Sequence, residues 1–157
     1  MFSFKQLFSR RAGPGTERPL LFEFGSNLTF AWDDDCEGWV VPIDQLASGA
    51  QAYIGPVEYR HEPMTESCEL VARAIGNIGQ WNKAAVRCLV AELSRATDWS
   101  HRDQLSQESF SPTGLTIFEH EQTPEECSLT YDCEFDPEHI YSVRMRNGVP
   151  ISWGMDG

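Results

Sequence analysis

Between Asp103 and Glu138 the sequence carries ten acids and not one Lys or Arg. Over all 157 residues, 24 acids against 12 bases leave a formal net charge of −12 and a pI near 4.6. So little positive charge argues against nucleic-acid binding, which rests on Lys and Arg neutralising phosphates. It also argues against an anionic membrane surface. No apolar run approaches the roughly 20 residues that cross a bilayer. The opening "MFSFKQLFSRRAGPG" has no uninterrupted apolar stretch and makes a poor secretory signal.

Other signatures are missing too. There is no GxxxxGK[ST], no GxGxxG after a strand and no nucleophile elbow, so nucleotide binding and the familiar serine or cysteine chemistry have no support. The five cysteines (Cys36, Cys68, Cys88, Cys127 and Cys133) cannot all pair within one chain and follow no zinc spacing. Cys68 and Cys88 read as small core residues, and a reducing cytoplasm is the expected compartment.

What is present is globular. Hydrophobic residues make up 41% of the chain, with 5 Trp, 4 Tyr and 9 Phe, too much apolar material for a disordered acidic chain. Residues 1–20 carry +3, leaving −15 for the rest. The basic segment 1–19 is expected to be a flexible terminus ended by Gly13-Pro14-Gly15, or a short amphipathic helix through Phe2, Phe4, Leu7 and Phe8. Residues 20–157 are expected to form one domain.

In that domain "PLLFEFG", "LTFAW" and "GWVVPI" read as strands of a meander. "AYIGPVEYR" contains Pro56 and is expected at a sheet edge or around a bend. The period then becomes helical. Thr65 is the expected N-cap of a helix through Leu70, Ala74, Ile75 and Ile78, and a second helix is expected over 80–96 through Trp81, Ala85, Cys88 and Leu89. Strands return with "LTIFEH", then a turn in "EQTPEE", then "CSLTYDCEF", where Cys127, Leu129, Tyr131, Cys133 and Phe135 alternate with polar residues. "HIYSVRM" and "VPISW" flank Asn147-Gly148, a type I′ hairpin signal. The fold class is α+β: an antiparallel sheet of N- and C-terminal strands, covered on one face by a central helix pair.

The helix pair "CELVARAIGNIGQWNKAAVRCLVAEL", the strand "LTIFEH" and the closing "YDCEFDPEHIYSVRMRNG" resemble the uncharacterised bacterial family known as domain of unknown function 2262. The likeness spans roughly residues 28–150. It is carried by Trp81, Ala84 and Leu89, then Tyr131, Asp132, Phe135, His139, Ile140 and Val143. Asp136-Pro137-Glu138 departs from the family pattern, which has an aromatic and a glycine before the histidine. The resemblance implies an α+β bacterial domain with relatives among immunity proteins that accompany secreted toxins. It transfers no catalytic residue.

Two acidic clusters stand out. Asp132, Glu134, Asp136 and Glu138 read as a strip continuing one strand's polar face, and Asp33-Asp34-Asp35 as an exposed turn without calcium-loop spacing. Alternate residues of one strand point in parallel, so the strip suits a solvated or partner-binding face better than a metal site. The four histidines, His61, His101, His120 and His139, are scattered, and acids beside His120 and His139 suit charged surface residues. Trp99 and Trp153 are candidate interface anchors, with burial the competing expectation.

The leading expectation is a non-catalytic immunity protein without cofactor or metal. Its partner would be a cognate toxin, basic and of nuclease type, and its contact residues Asp132, Glu134, Asp136, Glu138, Asp33, Asp34, Asp35 and Trp153. The alternatives are a small metal-dependent hydrolase using the same carboxylates with His139, and a housekeeping interaction domain recruited through the basic N-terminal segment.

Overall fold

The structure, a computed structural model, describes residues 20–46, 49–58, 60–96, 98–119 and 125–157. The basic segment 1–19, His120 and residues 121–124 of the expected turn in "EQTPEE" lie outside the described residues.

Strand β1 (Leu21–Phe24) pairs with β2 (Leu28–Asp33), β2 with β3 (Gly38–Pro42), and β3 with β4 (Gln51–Ile54), all antiparallel. Helices α1 (Thr65–Gly76) and α2 (Ile78–Leu93) follow, then β5 (Phe110–Ile117), β6 (Glu126–Cys133), β7 (Asp136–Arg146) and β8 (Val149–Asp156). All eight strands form one sheet in sequence order, antiparallel except at β4–β5, where the pairing is parallel. The expected α+β architecture is therefore present, with N- and C-terminal strands joined across the helices.

Periodicity explains the layers. In β6, Cys127, Leu129, Tyr131 and Cys133 are buried at every second position, and across the ladder Tyr141, Val143 and Met145 of β7 continue the same face. Residues Cys68, Val71 and Ala74 of α1, and Ile78, Trp81, Ala85, Leu89 and Leu93 of α2, recur at helical spacing and join the same core. α2 lies against β7 and β8, and α1 packs on α2. The Tyr131 hydroxyl donates to Asn82 Oδ1 at 2.9 Å, tying β6 to α2.

Several expectations need correction. β4 is an interior strand, because Pro56 falls beyond its last residue and leaves the ladder intact. Thr65 is already helical, Met64 occupies the cap position without a side-chain cap bond, and its N–H donates to Glu119 Oε1 at 2.7 Å. The second helix starts at Ile78 and ends at Leu93. Cys68 is fully buried as expected, whereas Cys88 is half-buried. The Asn147-Gly148 turn has φ +48° and +80°, as a type I′ turn requires.

Candidate functional site

The antiparallel register fixes which acids can act together. Tracing strand directions through the ladder puts the β2–β3 turn, with Asp33, Asp34 and Asp35, at one end of the sheet and the β6–β7 turn, with Glu134, at the other. The two clusters thus do not form one surface. The aspartate turn is engaged locally: Asp33 Oδ1 accepts the Asp35 N–H at 2.9 Å and the Cys36 N–H at 3.3 Å. Asp34 Oδ1 accepts Trp32 Nε1–H at 2.7 Å, and its other oxygen lies 3.8 Å from Arg60.

At the other end, the expected strip divides. Asp132 faces away from the core, because its neighbours Tyr131 and Cys133 are buried. Cys133 pairs with Asp136 across the tight turn, and directly opposed residues share a face, so Asp136 turns toward the core side. The register between Asp132↔Ile140 and Cys133↔Asp136 shifts, leaving Pro137, Glu138 and His139 as a bulge in which Pro137 and Glu138 are exposed and His139 is half-buried. Glu134 and Glu138 are exposed. Strand pairing adds a member that the sequence reading missed: Ile140 pairs with both Asp132 and Asp156, which sets the two aspartates two strands apart, about 10 Å, on the face away from the core. Counted back from Asn147-Gly148 without a bulge, the hairpin register would set Asp156 opposite His139; the shift between Arg144 and Met145 moves it opposite Ile140, and the sequence carried no signal for that.

Asp136 anchors a hydrogen-bonded chain. Its Oδ2 accepts the Tyr141 hydroxyl at 2.6 Å, and its Oδ1 lies 2.7 Å from His139 Nδ1. Tyr141 in turn accepts Trp99 Nε1–H at 3.2 Å. His101 stacks on Phe135 with ring centroids 5.5 Å apart, closing the cluster from outside. Burial alone would raise the Asp136 pKa, but the bonds from Tyr141 and His139 outweigh it and hold the carboxyl below its usual value. Burial and the same carboxylate push the Tyr141 phenol up. This arrangement fixes a turn: both Asp136 oxygens, the Tyr141 hydroxyl, His139 Nδ1 and Trp99 Nε1 meet partners within it, and Trp99 is half-buried.

Trp153 is 38% exposed, against the expectation of burial. It pairs with Val143, a core residue, and so projects on the helix-covered side of edge strand β8, opposite to Asp132 and Asp156. An arginine–glutamate cluster sits toward the far end of the same strands. The Glu126 carboxylate accepts Arg146 Nε–H at 2.9 Å and contacts Arg146 Nη2, and Arg144 Nε lies 2.6 Å from its second oxygen. The Arg146 bond, against the cost of burial and helped by Arg144, lowers the Glu126 pKa.

Among the described residues no three His, Cys, Asp or Glu side chains gather closely enough to hold a metal ion, and Asp136 with His139 is a pair only. The cysteine thiols are pushed up by burial, Cys127 to about 12, which suits packing rather than nucleophilic attack. Among the described residues no helix is long and apolar enough to cross a membrane. No family model, curated protein or solved structure matches the chain.

Proposed function

We propose that this chain is an immunity-type inhibitor, without catalysis of its own, that binds a basic cognate toxin through the acidic end of β6–β8. The observation that carries the reading is the gathering of Asp132, Glu134, Glu138 and Asp156 around one turn, exposed or half-exposed. Among the described residues none of these four has a side-chain ion pair of the kind that joins Glu126 to Arg144 and Arg146. A field of one sign at the tip of a rigid hairpin speeds encounter with a cationic surface and orients it. Asp136 supports this tip from beneath by holding Tyr141 and His139. A cytoplasmic setting accompanies the reading, since a toxin that acts inside the producing cell must be met there. Kinship with the domain of unknown function 2262 is part of the same proposal.

The test begins with the tagged full-length protein as bait in extracts of the native bacterium, at low and moderate salt. The expected result is one basic protein in near-stoichiometric amount whose toxicity on expression is relieved by this chain. Replacing Asp132, Glu134 and Glu138 together by Ser should then slow association at least tenfold and flatten its salt dependence. Asp136 is left in place because its loss would disturb the turn. An unchanged association rate removes this surface from the proposal.

A further inference from the structure

Strand β8 closes one side of the sheet, and among the described residues no strand pairs with its outer edge. It is also the most apolar exposed element: Val149 is 61% exposed, Ile151 44%, Trp153 38% and Met155 46%. Proteins usually blunt such an edge with charge, proline or a bulge. Here the blunting occupies the ends alone. Pro150 offers no N–H and sits where the β7–β8 register shifts, and Asp156 marks the other end. The segment between them, Ile151–Met155, has Trp153 at its centre.

We propose that β8 pairs antiparallel with β8 of a second copy, about a two-fold axis at Trp153, so that two sheets become one. This register sets Trp153 against its own mate and Ile151 against Met155 of the other copy. Alternate apolar residues thus form one row on the helix-covered side. Ser152 meets Gly154 on the other side, where small residues allow close approach. Charge favours the antiparallel direction. One end of β7–β8 carries Asp156, Glu138 and the β6–β7 acids, whereas at the other end Arg146, with Arg144, balances Glu126, so the two-fold keeps each acidic end away from the acidic end of the other copy. A parallel pairing would set acid beside acid. The closed two-fold also consumes the edge, whereas joining β8 to β1 of another copy would leave free ends and grow a filament. A five-residue ladder with its flanks buries on the order of 1,000 Å² in total, which places the dimer in the weak, concentration-dependent class. The proposal is independent of any toxin.

Sedimentation of the full-length protein alone, from about 1 to 300 µM, should show monomer passing to dimer with a micromolar midpoint. Trp153→Asp should weaken dimerisation at least tenfold while near-ultraviolet circular dichroism away from this residue keeps the native signature. The register is read separately by oxidising single-cysteine additions with diamide. Trp153→Cys should give a covalent dimer, since mated residues lie about 4.5–5.5 Å apart at Cα. Val149→Cys should not, because it would meet Gly157 and its own mate would lie roughly 27 Å away. The unsubstituted chain, with its native cysteines buried or half-buried, is the control. A monomer throughout the range, a dimer indifferent to Trp153→Asp, or cross-linking through Val149→Cys in preference to Trp153→Cys would each overturn the proposal.

Discussion

Asp136 shows how one side chain can belong to a different structure from the one its spacing suggests. In the sequence it follows Asp132 and Glu134 at alternate positions and reads as a third member of a strip. Two facts beyond spacing decide otherwise: the chain reverses after Cys133, and the bulge at 137–139 resets the alternation. Neither leaves a composition signal, whereas the inward row from Cys127 to Cys133 was legible because burial follows the pleat directly. The energetic consequence can be measured. Asp136→Asn should cost about 1–2 kcal/mol in urea unfolding, by weakening the bond that Tyr141 donates. The acid limb has a definite sign. Because the folded-state pKa of Asp136 is depressed, its contribution is present above the unfolded value near 4 and is lost as pH falls through the lower folded value. Unfolding midpoints measured between roughly pH 5 and 2 should fall less steeply for Asp136→Asn than for the parent chain.

Among elements, the hairpins were the most legible. Asn147-Gly148 announced its turn type because both positions need positive φ, and the structure has them at +48° and +80°. The register of β7 and β8 follows from that turn down to the bulge between Arg144 and Met145. Gly148 has a second task that no pattern reveals: a Cβ there would strike the Trp81 indole on α2. Gly148→Ala should therefore destabilise by roughly 1–3 kcal/mol, since it adds backbone strain to a displaced core tryptophan. Gly76→Ala, in the last turn of α1 with open space around it, is the matched control and should not destabilise. Helix ends were less legible. Asn77 accounts for this, since its side chain donates to the Arg73 carbonyl at 2.9 Å and its own carbonyl accepts from Gln80 and Trp81. One residue thus ends α1 and begins α2, where the glycines at 76 and 79 suggested a longer break.

At the scale of the whole molecule, charge was legible in total but not in arrangement. Counting acids placed −15 on residues 21–157, yet only the ladder separates the aspartate turn at 33–35 from the acids of the β6–β7 end. If the acidic end meets a basic toxin, raising ionic strength from 50 to 500 mM should slow association at least tenfold while changing dissociation far less. Stopped-flow mixing reads both rates. Titration calorimetry with calcium, magnesium, manganese and zinc should show no saturable site removed by Asp132→Asn; such a site would favour the hydrolase alternative. The parallel pairing of β4 and β5 was the largest feature absent from the sequence reading, because it joins residues about sixty positions apart and carries no local signature.

That seam divides the molecule in time as well as in space. β5–β8 is a run of strands that pair with their neighbours in sequence across short connections and can register itself before the rest arrives; β1–β4 is a second such run. Among the described residues the sheet joins them where Gln51–Ile54 pairs with Gly114–Ile117, and that pairing must wait for the intervening helices to bring the ends together. Amide exchange in native protein should accordingly resolve two cooperative units, with the amides of β6 and β7 outlasting those of β1 and β2.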